Sequence, residues 1–149
     1  MFDTKPGGGP VGRDSSGAYV LAEKVLADGG GMGRTVTAFL RAGFSDGNTG
    51  TFKSSWNTGV LIEHAVMSRP DSQLSFGVDQ ATLGDSYRAA AEASGPALGA
   101  SETHFEITYS DKIAKHLTLQ PDLQYVIDPG GDRHAPNALV AILRLTADF

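Results

Sequence analysis

Polar side chains recur at every second position in several stretches of this chain, and that spacing limits the chemistry open to them. His116, Thr118, Gln120, Asp122 and Gln124 alternate with Leu117, Leu119, Pro121, Leu123 and Tyr125. His104, Glu106 and Thr108 alternate with Phe105, Ile107 and Tyr109, and Phe39 and Arg41 with Leu40 and Ala42. In an extended chain, side chains two residues apart project from the same face. Phe39, Arg41, Asp79, Glu106, Gln120, Asp122, Gln124 and Arg144 are therefore expected on one hydrated surface. That surface offers hydrogen-bond donors, acceptors and one aromatic ring to a polar solute.

Nothing in the chain adds a reaction to that surface. No Ser-His-Asp order can be defended, because nothing such as G-x-S-x-G places a nucleophile. His64, His104, His116 and His134 lack the spacing of metal ligands and read as polar-face or loop residues. The Gly29–Gly33 stretch is not followed by Gly-Lys-Ser/Thr, so a turn is expected rather than a phosphate loop. Asp128-Pro-Gly-Gly-Asp132 lacks the further oxygen ligands and closing Glu of a calcium loop. The chain has no cysteine, which excludes disulfides and thiolate metal sites. A net charge of −5 argues against a nucleic-acid partner, which would need clustered Lys and Arg. The expectation is a protein without catalytic residues, cofactor or metal, and not an enzyme.

The elements that must position these residues are strands. After a Gly- and Pro-rich loop over residues 1–17, seven strands are expected at 18–26, 33–45, 55–67, 73–83, 102–110, 115–128 and 137–149. The last alternates strictly and stops on an aromatic residue. Leu139, Ala141, Leu143, Leu145, Ala147 and Phe149 share one face, and Val140, Ile142, Arg144, Thr146 and Asp148 the other. Charges on one face and a terminal Phe are the pattern of the last strand of an outer-membrane β-barrel. The faces of strand 55–67 are ambiguous. In strand 18–26 Glu23 and Lys24 are adjacent, so one of them must point outwards, where Lys24 can snorkel.

The mean hydropathy of −0.15 leaves no run of the roughly 18 apolar residues that a transmembrane helix needs. Alternating strands cancel in such an average, so a membrane barrel stays open. Short links are expected at 27–32, 68–72 and 111–114, and longer ones at 46–54, 84–101 and 129–136, as in barrels with short inner turns and long outer loops. Phe76, Tyr109 and Phe149 then fall towards the inner rim, and Phe44 and Tyr125 towards the outer one. The segment from Met1 lacks the basic and apolar regions of a signal peptide, which reads as the C-terminal piece of something longer. A soluble antiparallel sandwich, perhaps sugar-binding, shows similar alternation and is the competing reading. A non-functional truncated product is a third.

One stretch carries a resemblance. Glu102-Thr-His-Phe-Glu-Ile-Thr-Tyr109, followed by His116-Leu-Thr-Leu-Gln-Pro-Asp-Leu-Gln-Tyr-Val-Ile-Asp-Pro-Gly-Gly131, closely resembles the end of the carbohydrate-selective porins, the OprB-like family. Asn137 to Phe149 matches that family's final strand. Gly17-Ala-Tyr-Val-Leu-Ala, Phe39-x-Arg41 and Arg69-Pro-Asp71 are similar to it more weakly. The resemblance implies an outer-membrane barrel of about 16 antiparallel strands that passes sugars passively. It places 18–149 as the C-terminal part of such a barrel. On that reading the eight residues above are candidates for the sugar pathway, and they equally suit cross-strand pairing that keeps the lumen wet. Phe149 is expected to be the signal read by the barrel-assembly machinery. The expected partners are sugars, outer-membrane lipid and that machinery. Seven strands cannot close, so missing N-terminal strands or self-association would be needed.

Overall fold

In the computed structural model, residues 3–4, 10–11, 16–31, 33–47, 50–95 and 97–149 are described. Two short strands, β1 (Asp3–Thr4) and β2 (Pro10–Val11), pair with each other. The rest of the expected 1–17 loop lies outside the described residues, except that Ser16 and Gly17 already belong to the sheet region. The main sheet is β3 (Gly17–Asp28), β4 (Thr35–Ser45), β5 (Phe52–Glu63), β6 (Gln73–Leu83), β7 (Ser101–Ala114), β8 (Leu117–Ile127) and β9 (Ala138–Ala147). All seven lie side by side in chain order, each antiparallel to the next. No helix among the described residues is long and apolar enough to cross a membrane, while each strand is about as long as a tilted bilayer-crossing strand must be.

The register divides the side chains between two faces, because directly opposed residues point the same way. Ala38, Val60, Phe76, Ile107, Leu123 and Ala141 form one continuous row. Leu40, Thr58, Val78, Phe105, Tyr125 and Leu139 form the next row on the same apolar face. The ambiguous strand is thereby resolved: Trp56, Thr58, Val60 and Ile62 face the apolar side, and Ser55, Asn57, Gly59 and Leu61 the other. Glu23 opposes Phe39 on the polar face, and Lys24 opposes Ala38 on the apolar one. Lys24 is the outward-pointing member of that pair, four residues from the Asp28 end of β3.

A core is almost absent. Leu83 and Val126 are the buried hydrophobic residues among those described, whereas Leu139, Leu143 and Leu145 are each at least 60% exposed. A soluble sandwich would need a second sheet over the apolar face. The two-residue β1–β2 ladder is no such layer, so the sandwich expectation does not hold.

Three connections depart from expectation. The link expected at 111–114 lies within β7, which runs on to Ala114, so that the turn into β8 is residues 115–116. The strand expected over 55–67 ends at Glu63, because His64 takes a left-handed φ of 51° and opens a turn. That turn, 64–72, is organised by the buried Ser72 hydroxyl, which bonds to the Val66 amide and the Arg69 carbonyl. It is longer than link 46–51, so the alternation of loop lengths is less regular than the sequence suggests. The long link after β6 contains a helix, α1 (Asp85–Ser94), which strand and turn signals did not reveal. Its run of Ala residues favours helix once the chain leaves the sheet.

Candidate functional site

The polar face carries a belt of side chains in successive rows. One row is Glu23, Phe39, Gly59, Gly77, Glu106, Gln124 and Val140, and the next is Leu21, Arg41, Asn57, Asp79, His104 and Val126. On the other side of the first row come Thr37, Leu61, Ser75, Thr108, Asp122 and Ile142, then Gln120 opposite Arg144. All eight residues singled out from the sequence therefore share this face. Six of them occupy the three adjacent rows, while Gln120 and Arg144 lie one row nearer the end of the sheet that carries Phe149.

Within the belt the groups are held by one another. Phe39 lies across Gly59, where a side chain would meet its ring, and the Arg41 guanidinium sits 5.1 Å from the ring centroid. Such stacking is a cation–π contact. Arg41 also faces Glu23 at 3.9 Å, and both are largely solvent-exposed, so this pair contributes little to stability. The Thr108 hydroxyl lies between Glu106 Oε1 at 2.8 Å and Asp122 Oδ2 at 2.5 Å. It has one proton to donate and can serve one carboxylate at a time. Gln124 donates to the other oxygen of Glu106 at 3.2 Å, and Arg144 reaches Gln120 at 3.5 Å.

Other members of this network lie outside those eight. His104 stands between Asp79, 3.4 Å from Nδ1, and Glu102, 2.6 Å from Nε2. Asn57 enters the row between Arg41 and Asp79 only because β5 pairs in this register. Tyr19, strongly exposed, opposes Gly43 on the same face and lines a concavity of about 420 Å³ with Arg41, Asn57 and Asp79. An exposed ring beside donors and acceptors is a surface on which a sugar ring can stack. Alternation in β3 is too poor in charge contrast to mark Tyr19 in advance; its opposition to Gly43 is what locates it.

The belt suits reversible hydrogen bonding. Its acids (Glu23, Asp79, Glu102, Glu106 and Asp122) outnumber its permanent cations, Arg41 and Arg144, so anions are disfavoured along it. No cluster of metal-ligating side chains occurs among the described residues. Above the belt, at the end with the longer links, Lys53 donates to Asp85 at 2.9 Å. That bond and the Lys53 charge hold the Asp85 carboxyl below its ordinary pKa.

The apolar face carries polar handles towards its two ends. Trp56 donates to Gln80 at 3.4 Å, and Gln80 to Thr103 at 3.0 Å, on the side nearer the long links. At the opposite rim Tyr109 donates to Asp111 at 3.3 Å, and Arg69 pairs with the same buried carboxylate. The Arg69-Pro-Asp71 turn is thus tied to β7 by its first residue. Amphipathic aromatics near both ends of an apolar band are what membrane–water interfaces select.

The comparisons with known proteins agree with this architecture. Porin B of Pseudomonas aeruginosa is 24% identical over 147 residues, an overlap of 89% of this chain and 32% of that protein. The structure of Pseudomonas putida OprB at high pH matches with a TM-score of 0.78 and 26% identity, covering 88% of this chain and 34% of that one. The chain thus spans about a third of the length of the relatives it matches. The sequence pattern of the carbohydrate-selective porin, OprB family, matches residues 4–149. With a seven-stranded antiparallel portion of a β-barrel and a match over almost its whole length, the chain belongs to the carbohydrate-selective porin (OprB) family.

Proposed function

We propose that this chain forms part of the wall of an outer-membrane pore through which sugars diffuse down their gradient, with no catalysed step, cofactor or energy input. The observation that carries the reading is the division of one sheet into a hydrogen-bonding belt and an apolar face that none of the described residues covers. Arg41, Asp79, Glu106, Gln120, Asp122, Gln124 and Arg144 would exchange hydrogen bonds with sugar hydroxyls as water is shed, with Phe39 and Tyr19 available for stacking. Several weak contacts in successive rows let a solute enter and leave, as conduction requires. The acidic excess favours neutral sugars over sugar acids and sugar phosphates. Outer-membrane lipid would cover the apolar face, and Phe149 would serve the barrel-assembly machinery as an address.

The topology constrains how such a wall closes. Free strand edges are not tolerated in hydrocarbon, and β3 and β9 are the edges of this sheet. Six successive antiparallel pairings make β3 and β9 run in the same direction. Pairing them directly, within one copy or around a ring of copies, would create a parallel pair. Antiparallel closure therefore needs an odd number of further strands; a second copy could supply its seven only by pairing β3 with β3 and β9 with β9, which would turn that copy upside down across the membrane.

The test joins residues 17–149 to the preceding strands of Pseudomonas putida OprB and places the resulting barrel in planar lipid bilayers. The expected result is a channel whose ion current falls on adding a neutral sugar, and less so after Asp79→Asn with Arg41→Gln. A folded barrel with no conductance, or one whose current ignores sugars, would refute the reading.

A further inference from the structure

The Asp128-Pro-Gly-Gly131 stretch follows β8, yet the structure does not send it outward to the next strand. Residues Pro129–Gly131 form a single 3-10 turn that folds back across β7 on the polar face. Two contacts define its path. Gly130 N–H donates to Glu102, a polar-face residue of β7. Gly131 lies against Leu83, which is on the polar face of β6 and only 2% exposed. From β8 to β6 is two strand spacings, so the turn extends about 10 Å sideways along the sheet, and because it lies over the polar face it takes up room on the lumen side of the wall.

The turn is held from every side. Gly99 N–H donates to the Gly131 carbonyl at 2.6 Å, and Asp128 N–H to Asn137 Oδ1 at 3.4 Å. Asn137 in turn donates to the Tyr125 hydroxyl at 2.9 Å. Three left-handed backbone positions explain its composition. Asp128, Gly130 and Gly131 have positive φ values of 52°, 67° and 76°, and a Cβ on Gly131 would come within 2.5 Å of Leu83 Cδ1. Two adjacent glycines are what such a path demands.

We infer that Pro129–Gly131 is a fixed inward step at the outer mouth that sets the size of solute admitted, and that Glu102 is the residue that positions it. Glu102 is suited to this because one carboxylate oxygen takes the Gly130 N–H while the other takes His104, itself held by Asp79. The position of the turn is thus tied to the belt beneath it. The inference rests on the pore reading above.

The experiment uses the same joined barrel, comparing the unmodified protein with Glu102→Ala, Glu102→Gln and Gly131→Ala. Liposome swelling reads monosaccharide and trisaccharide flux, and heat-modifiable mobility in detergent reads folding. In Glu102→Ala and Gly131→Ala, trisaccharide flux relative to monosaccharide should rise by about two- to five-fold, since aperture governs passage. Glu102→Gln, which keeps an acceptor for Gly130, should stay near the unmodified ratio. Residues 17–149 contain no cysteine, so with any cysteine in the joined strands replaced by serine, Leu83→Cys can be labelled cleanly with a water-soluble thiol reagent. Labelling should be slow alone and fast with Glu102→Ala, a readout that a general loss of stability would not reproduce in a folded barrel. Should Glu102→Ala not assemble, Gly131→Ala decides the case, because the turn lies outside the strand ladder. Unchanged flux ratios and unchanged labelling in folded variants would overturn the inference. An unmodified barrel without conductance would instead be a failure of the pore reading.

Discussion

Exchanging two neighbouring residues of β9 for arginine tests the division of faces most directly. Leu143 is 68% exposed on the apolar face opposite Pro121, while Ile142 is on the polar face opposite Asp122. Leu143 stands five residues from Ala138 and four from Ala147, the ends of the strand. At about 3.3 Å per residue and a tilt of roughly 40°, that puts it about 10 Å from one end and about 13 Å from the other. It therefore sits within a few ångströms of the middle of an apolar band about 25 Å tall. Arginine there should cost about 2–4 kcal/mol, the midplane value for a cation facing lipid. Ile142→Arg should change stability by less than about 1 kcal/mol, because the new cation faces water and Asp122. Asp122 Oδ1 is buried without a hydrogen-bond partner, so it is free to receive it. The assay is reversible denaturant unfolding of the joined barrel in phospholipid, followed by tryptophan fluorescence. Equal costs at the two positions, or a larger cost at Ile142, would refute the face assignment.

Two further outcomes are expected. Gly59→Ala should destabilise the barrel by about 1–3 kcal/mol, because the added methyl meets the Phe39 ring at 2.8 Å and the Phe76 carbonyl closer still. Unfolding of the joined barrel reads this, and a neutral result would mean that Phe39 does not lie across β5. Removal of Phe149 should lower the amount of folded barrel in outer-membrane fractions without changing the conductance of the barrels that do assemble; undiminished levels would rule out its role as an assembly signal.

The sequence alone specified the strands and their two faces, and a physical reason explains why. Side-chain alternation has a period of two in any strand, so polar and apolar residues sort themselves before any pairing is known. Gln120, Asp122 and Gln124 could be placed on one face for that reason, as could Leu139 and Leu143 on the other. Where alternation lacks contrast, as over residues 55–63, the chain by itself could not choose, and the register of β5 between β4 and β6 decided. Tertiary structure alone made neighbours of residues distant in sequence: Phe39 over Gly59, Arg41 beside Asn57 and Asp79, and Asp79 beside His104. The path of Pro129–Gly131 back across β7 was equally invisible, because a Pro-Gly-Gly stretch says that the chain turns and not which way. That direction comes from Glu102 and Leu83, which belong to other strands and meet the turn only once the sheet has formed.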